Sequence, residues 1–328
     1  MNYDITMPSA TNVGEIYLSE YYLVQALSPE FSLWVGQMNG AGLVDGNQFA
    51  NDEKHQFMNT ALVDNPLVGP FAPYTAFLIA GVWLPTTEHQ IIGAVMDNNG
   101  EVGKTVADTY DTDATVFVGS YGFLPEIGGR PGHYQIVGAY TNKDFPTYGV
   151  ANRLQLLGEL VGRVPIEEKT DNWATIITAD QYLFVKDIER KIGWGLFFRF
   201  GYAPKNRNAI DQFYSFGVGG RGMLIPGRDL DFWGLGWAGT HFSSDLRDDL
   251  KLATSLPLLG RPGVELEPFE HAVEAFYNIA ITPWAHLTID LQFIVNPFGA
   301  QIIDHSLVAS ADDDGLAIVL GSRLQIDF

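Results

Sequence analysis

Residues 315–328 read GLAIVLGSRLQIDF, and Phe328 is the last residue. Leu316, Ile318, Leu320, Leu324, Ile326 and Phe328 fall on alternate positions, broken only by Ser322. Ala317, Val319, Gly321, Arg323, Gln325 and Asp327 lie between them, so the second face grows polar toward the end. Strand side chains alternate between faces with a period of two. An oily face opposed to Arg, Gln and Asp, with a terminal Phe, suits a transmembrane β-barrel whose outside meets lipid and inside meets water. A half-buried strand of a soluble sandwich alternates in the same way, so the rest of the chain has to decide.

The 328 residues are enough for one large β domain or two ordinary ones. There is no Cys, which excludes disulfides and thiolate metal sites. A net charge of −20, from 19 basic and 39 acidic residues, argues against nucleic acid as a partner. Charged residues are 18%, low for a soluble surface, while aromatics reach 13% and Gly 35 residues. The longest apolar run, AFLIAGVWL (76–84), has the length of a membrane strand and falls far short of a membrane helix. The opening MNYDITMPS has neither the basic start nor the apolar core of a secretory signal, so an exported protein would begin here as a mature or trimmed chain.

Alternating runs come in pairs joined by short turns. The pairs are 17–27 with 31–38, 75–84 with 90–96, 114–124 with 133–140, 173–185 with 193–202, 213–225 with 231–242, and 273–281 with 286–296. The closing strand follows. Longer polar or acidic joins separate the pairs: 39–74, 97–113, 141–172, 203–212, 243–270 and 297–314. Short joins alternating with long ones mark an up-and-down antiparallel barrel with periplasmic turns and extracellular loops. The reading is all-β, with about thirteen strands and one more before Gly14, in a single domain over 1–328. Leu154, Leu157, Val161 and Val164 have helical spacing within one long join and read as a short loop helix, against two ambiguous strands or a packed loop.

Aromatic placement agrees. Trp194, Leu196, Phe198, Phe200 and Tyr202 share one parity, with Phe197 and Arg199 on the other. Trp233, Leu235 and Trp237 alternate with Gly234, Gly236 and Ala238. Trp and Tyr near strand ends fit the aromatic girdles of a barrel, although ordinary core aromatics would show the same parity.

Five strings carry a family resemblance: NQFANDEKHQFMNTAL (47–62), ADQYLF (179–184), GWGLFFRFGYAPKN (193–206), FYSFGVGGRGMLIPGRDLDFWGLGW (213–237) and AFYNIAITPWAHLTIDLQFIVNPFG (275–299). In order and spacing the chain resembles the carbohydrate-selective porins of bacterial outer membranes, the OprB type, from about Glu15 to Phe328. The resemblance implies a sixteen-stranded barrel that passes mono- or oligosaccharides by diffusion. It also implies residence among outer-membrane lipid and lipopolysaccharide. The fourteen or so strands counted here fall short of that number, which leaves pore width open. Lipid-facing and subunit-facing strands both read as apolar, so a monomer and a homotrimer are equally compatible with the sequence.

A pore of this kind needs no catalytic group and no cofactor; it needs polar side chains that meet sugar hydroxyls at a constriction. Arg suits that task because its planar donor fork pairs two hydroxyls and stays charged. Residues of inward parity are therefore the candidates for sugar contact: Arg199, Arg221, Arg323, Glu274, Asn278, Asp290 and Gln292. Glu20 sits mid-strand in the first run and aligns with a family acidic position. Trp34 shares a parity with Gly36 and reads as a stacking platform or a narrowing of the pore. Such residues also serve in any large barrel merely to knit strands together. On 173–185 either parity sends Asp180 or Gln181 toward lipid unless a bulge intervenes.

Other motifs carry less. GVGGRG (217–222) lies inside a strand and matches no nucleotide-binding loop. His271 and His286 stand too isolated in the sequence to argue a metal site, and no Ser-His-Asp set stands out. Acidic clusters at Asp108, Asp111 and Asp113 and at Asp312, Asp313 and Asp314 could hold Ca²⁺, but a solvated acidic loop explains them more simply.

Overall fold

Strict alternation along most of the chain leaves each segment with one face to bury, and the strands pair in the order in which they occur. The computed structural model describes residues 20–101, 103–149, 167–254, 266–297 and 315–327. One thirteen-stranded antiparallel sheet contains β1 (Tyr21–Ala26), β2 (Phe31–Met38), β3 (Ala76–Thr86), β4 (His89–Asp97), β5 (Thr115–Phe123) and β6 (Gly132–Thr141). It continues through β9 (Asn172–Asp187), β10 (Ile192–Tyr202), β11 (Ile210–Arg221), β12 (Phe232–Phe242), β13 (Phe269–Thr282), β14 (Ala285–Val295) and β15 (Leu316–Ile326). The short β7 (Phe145–Pro146) and β8 (Glu168–Lys169) pair separately within the join after β6.

All thirteen runs read from alternation, the six pairs and the closing strand, are strands of the sheet. The further strand expected before Gly14, the loop helix expected over 154–164 and the Asp312–Asp314 cluster lie outside the described residues. Consecutive neighbours are antiparallel throughout, so the short turns gather at one end of the sheet and the long joins at the other.

From β3 onward burial largely follows parity, whereas β1 is exposed throughout. Leu316, Ile318, Leu320, Leu324 and Ile326 are exposed, Leu320 to 78%, while Arg323 between them is buried. Leu196, Phe198 and Tyr202 lie outside, and Phe197 and Arg199 inside. A continuous exposed band of Leu, Ile, Phe and Trp is stable in lipid and a liability in water. No helix among the described residues is long and apolar enough to cross a membrane, and the apolar surface belongs to strands.

The doubt over β9 resolves in favour of Asp180 inside. Gln181 points outward at the short-turn end, opposite the first residue of β6. Its amide nitrogen donates to the carbonyls of Arg130, Pro131 and Tyr182, and its oxygen accepts from the Tyr134 hydroxyl. Beyond it, β9 slips register against β10 between Trp194 and Gly195, where a bulge absorbs one residue.

Within the sheet lies the join between β2 and β3, with its one-turn helices α1 (Ala41–Val44) and α2 (Thr60–Val63). Its Phe49, Ala50, Phe57, Leu62, Leu67 and Phe71 are almost wholly buried. Removing Phe57 and Leu62 from water is worth roughly 1.5–3 kcal/mol each. Phe71 packs among Met96, Val118 and Val137 on β4 to β6, while the Glu53 carbonyl accepts from Arg323 on β15. One segment touching both halves of the sheet requires the sheet to curl around it. Wall glycines make the space: a Cβ at Gly236 would lie 2.8 Å from a methyl of Leu62, and one at Gly219 3.1 Å from the Phe49 Cβ.

Candidate functional site

The insert meets the inner wall through polar side chains projecting from five strands. On β10, Arg199 is fully buried. Its Nη1 donates to the Leu62 carbonyl at 2.9 Å, its Nη2 donates to the Ala50 carbonyl, and its Nε lies 3.2 Å from Asp45 Oδ1. Asp45 also accepts from the Asn65 backbone N–H at 2.6 Å. Burial raises the Asp45 carboxyl from its ordinary 3.8 to about 6, with Arg199 opposing that rise.

On β13, the Glu274 carboxylate accepts from the backbone N–H groups of Met58 at 2.7 Å and Asn59 at 2.8 Å, which lie at the entry to α2. Asn59 caps α2 through its side-chain oxygen and donates its amide to Gln292 Oε1 on β14. Gln292 in turn donates to Asp290. Arg323 on β15 donates to the carbonyls of Glu53 and Gln56. On β9, Asp180 accepts from the Gln48 N–H at 3.2 Å, and Thr178 and Ala179 accept from the Asn47 amide. Backbone groups of an irregular segment need partners once buried, and the charged inner wall supplies them.

A recess of about 540 Å³ opens beside the insert at the short-turn end. Arg221, Phe232, Asp180 and Tyr182 line it from the wall, and Gln48, Asn51, Asp52 and Gln56 from the insert. The Arg221 guanidinium stands 5.0 Å from the centre of the Phe232 ring and donates to the Arg190 carbonyl. Carboxylates, amides, a guanidinium and an aromatic face therefore converge on one concave surface. A second chamber of about 630 Å³ lies among the long joins, lined by Pro70, Asn98, Glu101, Lys104, Asp108 and Lys143.

The nine residues singled out from the sequence divide sharply. Arg221 alone lines the recess. Arg199, Glu274, Gln292 and Arg323 bond to the insert. Asp290 is buried beside Gln292. Asn278 is buried between Thr288 and His286, donating to the first and accepting from the second. Glu20 is exposed and accepts from the Asn39 N–H. Trp34 stacks on Tyr22 with ring centres 6.4 Å apart and packs against the apolar cluster. Asp108 caps a single helical turn, α3 (Val106–Thr109), and Asp111 accepts from the Asp113 N–H.

The recess residues of the insert were not legible, because a loop has no parity. The available signal was composition: HQFMNTALV followed by PLVGPF is too apolar for a solvated loop.

Residues 8–328 match the family model described as carbohydrate-selective porin, OprB family. Porin B of Pseudomonas aeruginosa is 27% identical over 141 residues, a match spanning 40% of this chain and 30% of that protein. The high-pH structure of Pseudomonas putida OprB superposes with a TM-score of 0.73 at 18% identity, over 94% of this chain and 72% of the other. The low-pH structure of the same protein gives 0.53 at 14% identity, over 94% and 66%. At such identities the superpositions show a shared porin fold.

Proposed function

The chain belongs to the carbohydrate-selective porin family of the OprB type, and from that premise we propose that it is an outer-membrane channel for passive diffusion of small carbohydrates. The carrying observation is the recess. Arg221 and the Phe232 ring face Asp52, Asp180, Gln48, Asn51 and Gln56 across a space open to solvent. Sugar hydroxyls take donors from the guanidinium and amides and give protons to the carboxylates. The apolar face of a pyranose lies on the ring. Arg221 is then the sugar-contacting member of the inward-facing set, and Arg199, Glu274, Gln292 and Arg323 act through the insert they hold. The insert forms the constriction between the recess and the chamber among the long joins.

The outward apolar band suits strands lying in lipid, and in a barrel of this design the short turns face the periplasm and the long joins the outside. A channel of this design requires neither a catalytic residue nor a cofactor. Its partners are mono- or oligosaccharides inside and lipid or lipopolysaccharide outside, for a monomer or a homotrimer alike.

A cation-preferring passage without a sugar site is the second reading, carried by the net charge of −20. Proteoliposomes separate the two. Rapid swelling in isosmotic glucose and maltose, slowing steeply with sugar size, supports sugar passage. Strong cation selectivity in the reversal potential, without sugar-dependent swelling, supports the second reading.

A further inference from the structure

Three side chains far apart in the sequence meet where the insert reaches the short-turn end of the wall. His55 comes from the insert, His286 from β14, and Asp327 follows β15. One ligand atom from each lies within 4.8 Å of the other two, and His55 Nε2 is 3.6 Å from Asp327 Oδ2. The His55 and His286 rings stand edge to face with centres 4.8 Å apart. It is the one group of this kind among the described residues.

Each member is already held by a second partner. His55 Nδ1 lies 2.9 Å from Asp52 Oδ2, and His286 Nδ1 lies 2.9 Å from Asn278 Oδ1. The Asn278 amide nitrogen donates to Thr288, so its oxygen is the acceptor facing the ring. An acceptor beside Nδ1 in both imidazoles favours the tautomer whose Nε2 keeps its lone pair, and in His286 a ligand would compete with the ring's hydrogen bond to the Pro283 backbone. Asp327 accepts from the Gln325 amide through Oδ1, and its backbone N–H donates to the Trp284 carbonyl. Ring nitrogens oriented in this way by a carboxylate or amide are the usual second layer of a metal site.

We propose that His55, His286 and Asp327 bind a first-row transition divalent cation, with zinc the favoured occupant, and that the bound ion clamps the insert to the barrel wall. Two imidazoles and one carboxylate suit zinc and its neighbours better than calcium or magnesium. Ligands at zinc distances of about 2.0–2.1 Å stand roughly 3.3 Å apart around a tetrahedral centre. The gap between His55 and Asp327 is close to that already. The remaining contraction falls to Asp327, whose side chain is 42% exposed and is held through Oδ1 by the Gln325 amide alone. A fourth position stays open to water. Asp52, which orients His55, also lines the recess, so occupancy reaches the passage through the insert.

The site stands whether or not sugar is the solute, and its test uses the metal alone. Chelator-stripped protein in detergent is titrated with zinc chloride by calorimetry, beside His55→Ala, Asp327→Asn and the adjacent Lys54→Ala. One zinc per chain is expected, weakened at least tenfold by the first two changes and unaltered by the third. Barrel integrity is read from heat-modifiable mobility in dodecyl sulfate gels. Cobalt titration of the unmodified protein gives a second readout, independent of any variant's folding. Intense visible bands of a four- or five-coordinate ion support the site, and the weak spectrum of the hydrated ion overturns it. Absence of zinc binding, or binding undiminished in both folded His55→Ala and Asp327→Asn, also overturns it.

Discussion

Arg199 on the barrel wall and Asp45 on the insert lie 3.2 Å apart, and neither side chain has any surface exposed to solvent. The approach is that of an ion pair without the alignment of a hydrogen bond, since neither Arg199 Nε nor Asp45 Oδ1 has a hydrogen-bond partner. The other two guanidinium nitrogens are spent on insert carbonyls. Arg199 is therefore a bolt through the middle of the barrel.

Replacing Arg199 with Met strands a buried carboxylate and two buried carbonyls. The loss of one partner from such a pair costs about 3–5 kcal/mol. The expected outcome is a lower temperature for gel-shift unfolding and a larger, noisier unit conductance as the insert leaves its seat. Adding Asp45→Asn to Arg199→Met removes the stranded charge and recovers part of the loss. A single variant as heat-stable and as quiet as the parent would show that the pair does not hold the insert.

Acidity acts through the same carboxyl. Asp45 titrates at about 6 in its seat and near its ordinary 3.8 once in water. Between those values the seated insert holds a proton that a displaced insert releases, so protonation favours seating. Asp64 is also raised by burial, against the pull of Arg199, and adds in the same direction. Lowering the pH from 8 through 6 is expected to quiet the channel and reduce its mean conductance. Asp45→Asn should flatten most of that response, and an unchanged pH profile in the variant would contradict the assignment.

Glu274 tests the insert from the other side. Glu274→Ala leaves the Met58 and Asn59 N–H groups without their acceptor, at about 1–3 kcal/mol for each group left buried and unpaired. Proteolysis within 39–75 is expected to accelerate while the strands stay protected. Equal protection of the insert in parent and variant would count against the anchoring role.

A chain with no Cys of its own permits a direct placement test. A Cβ at Gly219 would stand 3.1 Å from that of Phe49, near the roughly 3.5–4.5 Å spanned by a disulfide. Phe49→Cys with Gly219→Cys should cross-link on mild oxidation and hold conductance at its quiet level. Failure to cross-link in a folded barrel would place the insert elsewhere.

The positions of the thirteen strands of the large sheet were legible because a membrane strand must alternate, and alternation survives in a single sequence. Inward parity was legible for the same reason, and Arg199, Glu274 and Asp290 do face inward. What those residues face was hidden, since parity gives direction and says nothing of what fills the lumen. A charged inner residue reads alike whether it meets water, sugar or a buried carbonyl. The meeting of His55 with His286 and Asp327 was likewise beyond reach, because only the packing of the insert against β14 and β15 brings them together.

The most direct measurement is single-channel current in a planar bilayer, titrated with glucose and with maltose, for the parent and for Arg221→Ala. Discrete openings that fall saturably with sugar in the parent, with a several-fold higher half-blocking concentration in the variant, are the predicted result. Openings indifferent to both sugars, or block unchanged by Arg221→Ala, would contradict a carbohydrate passage read at this recess.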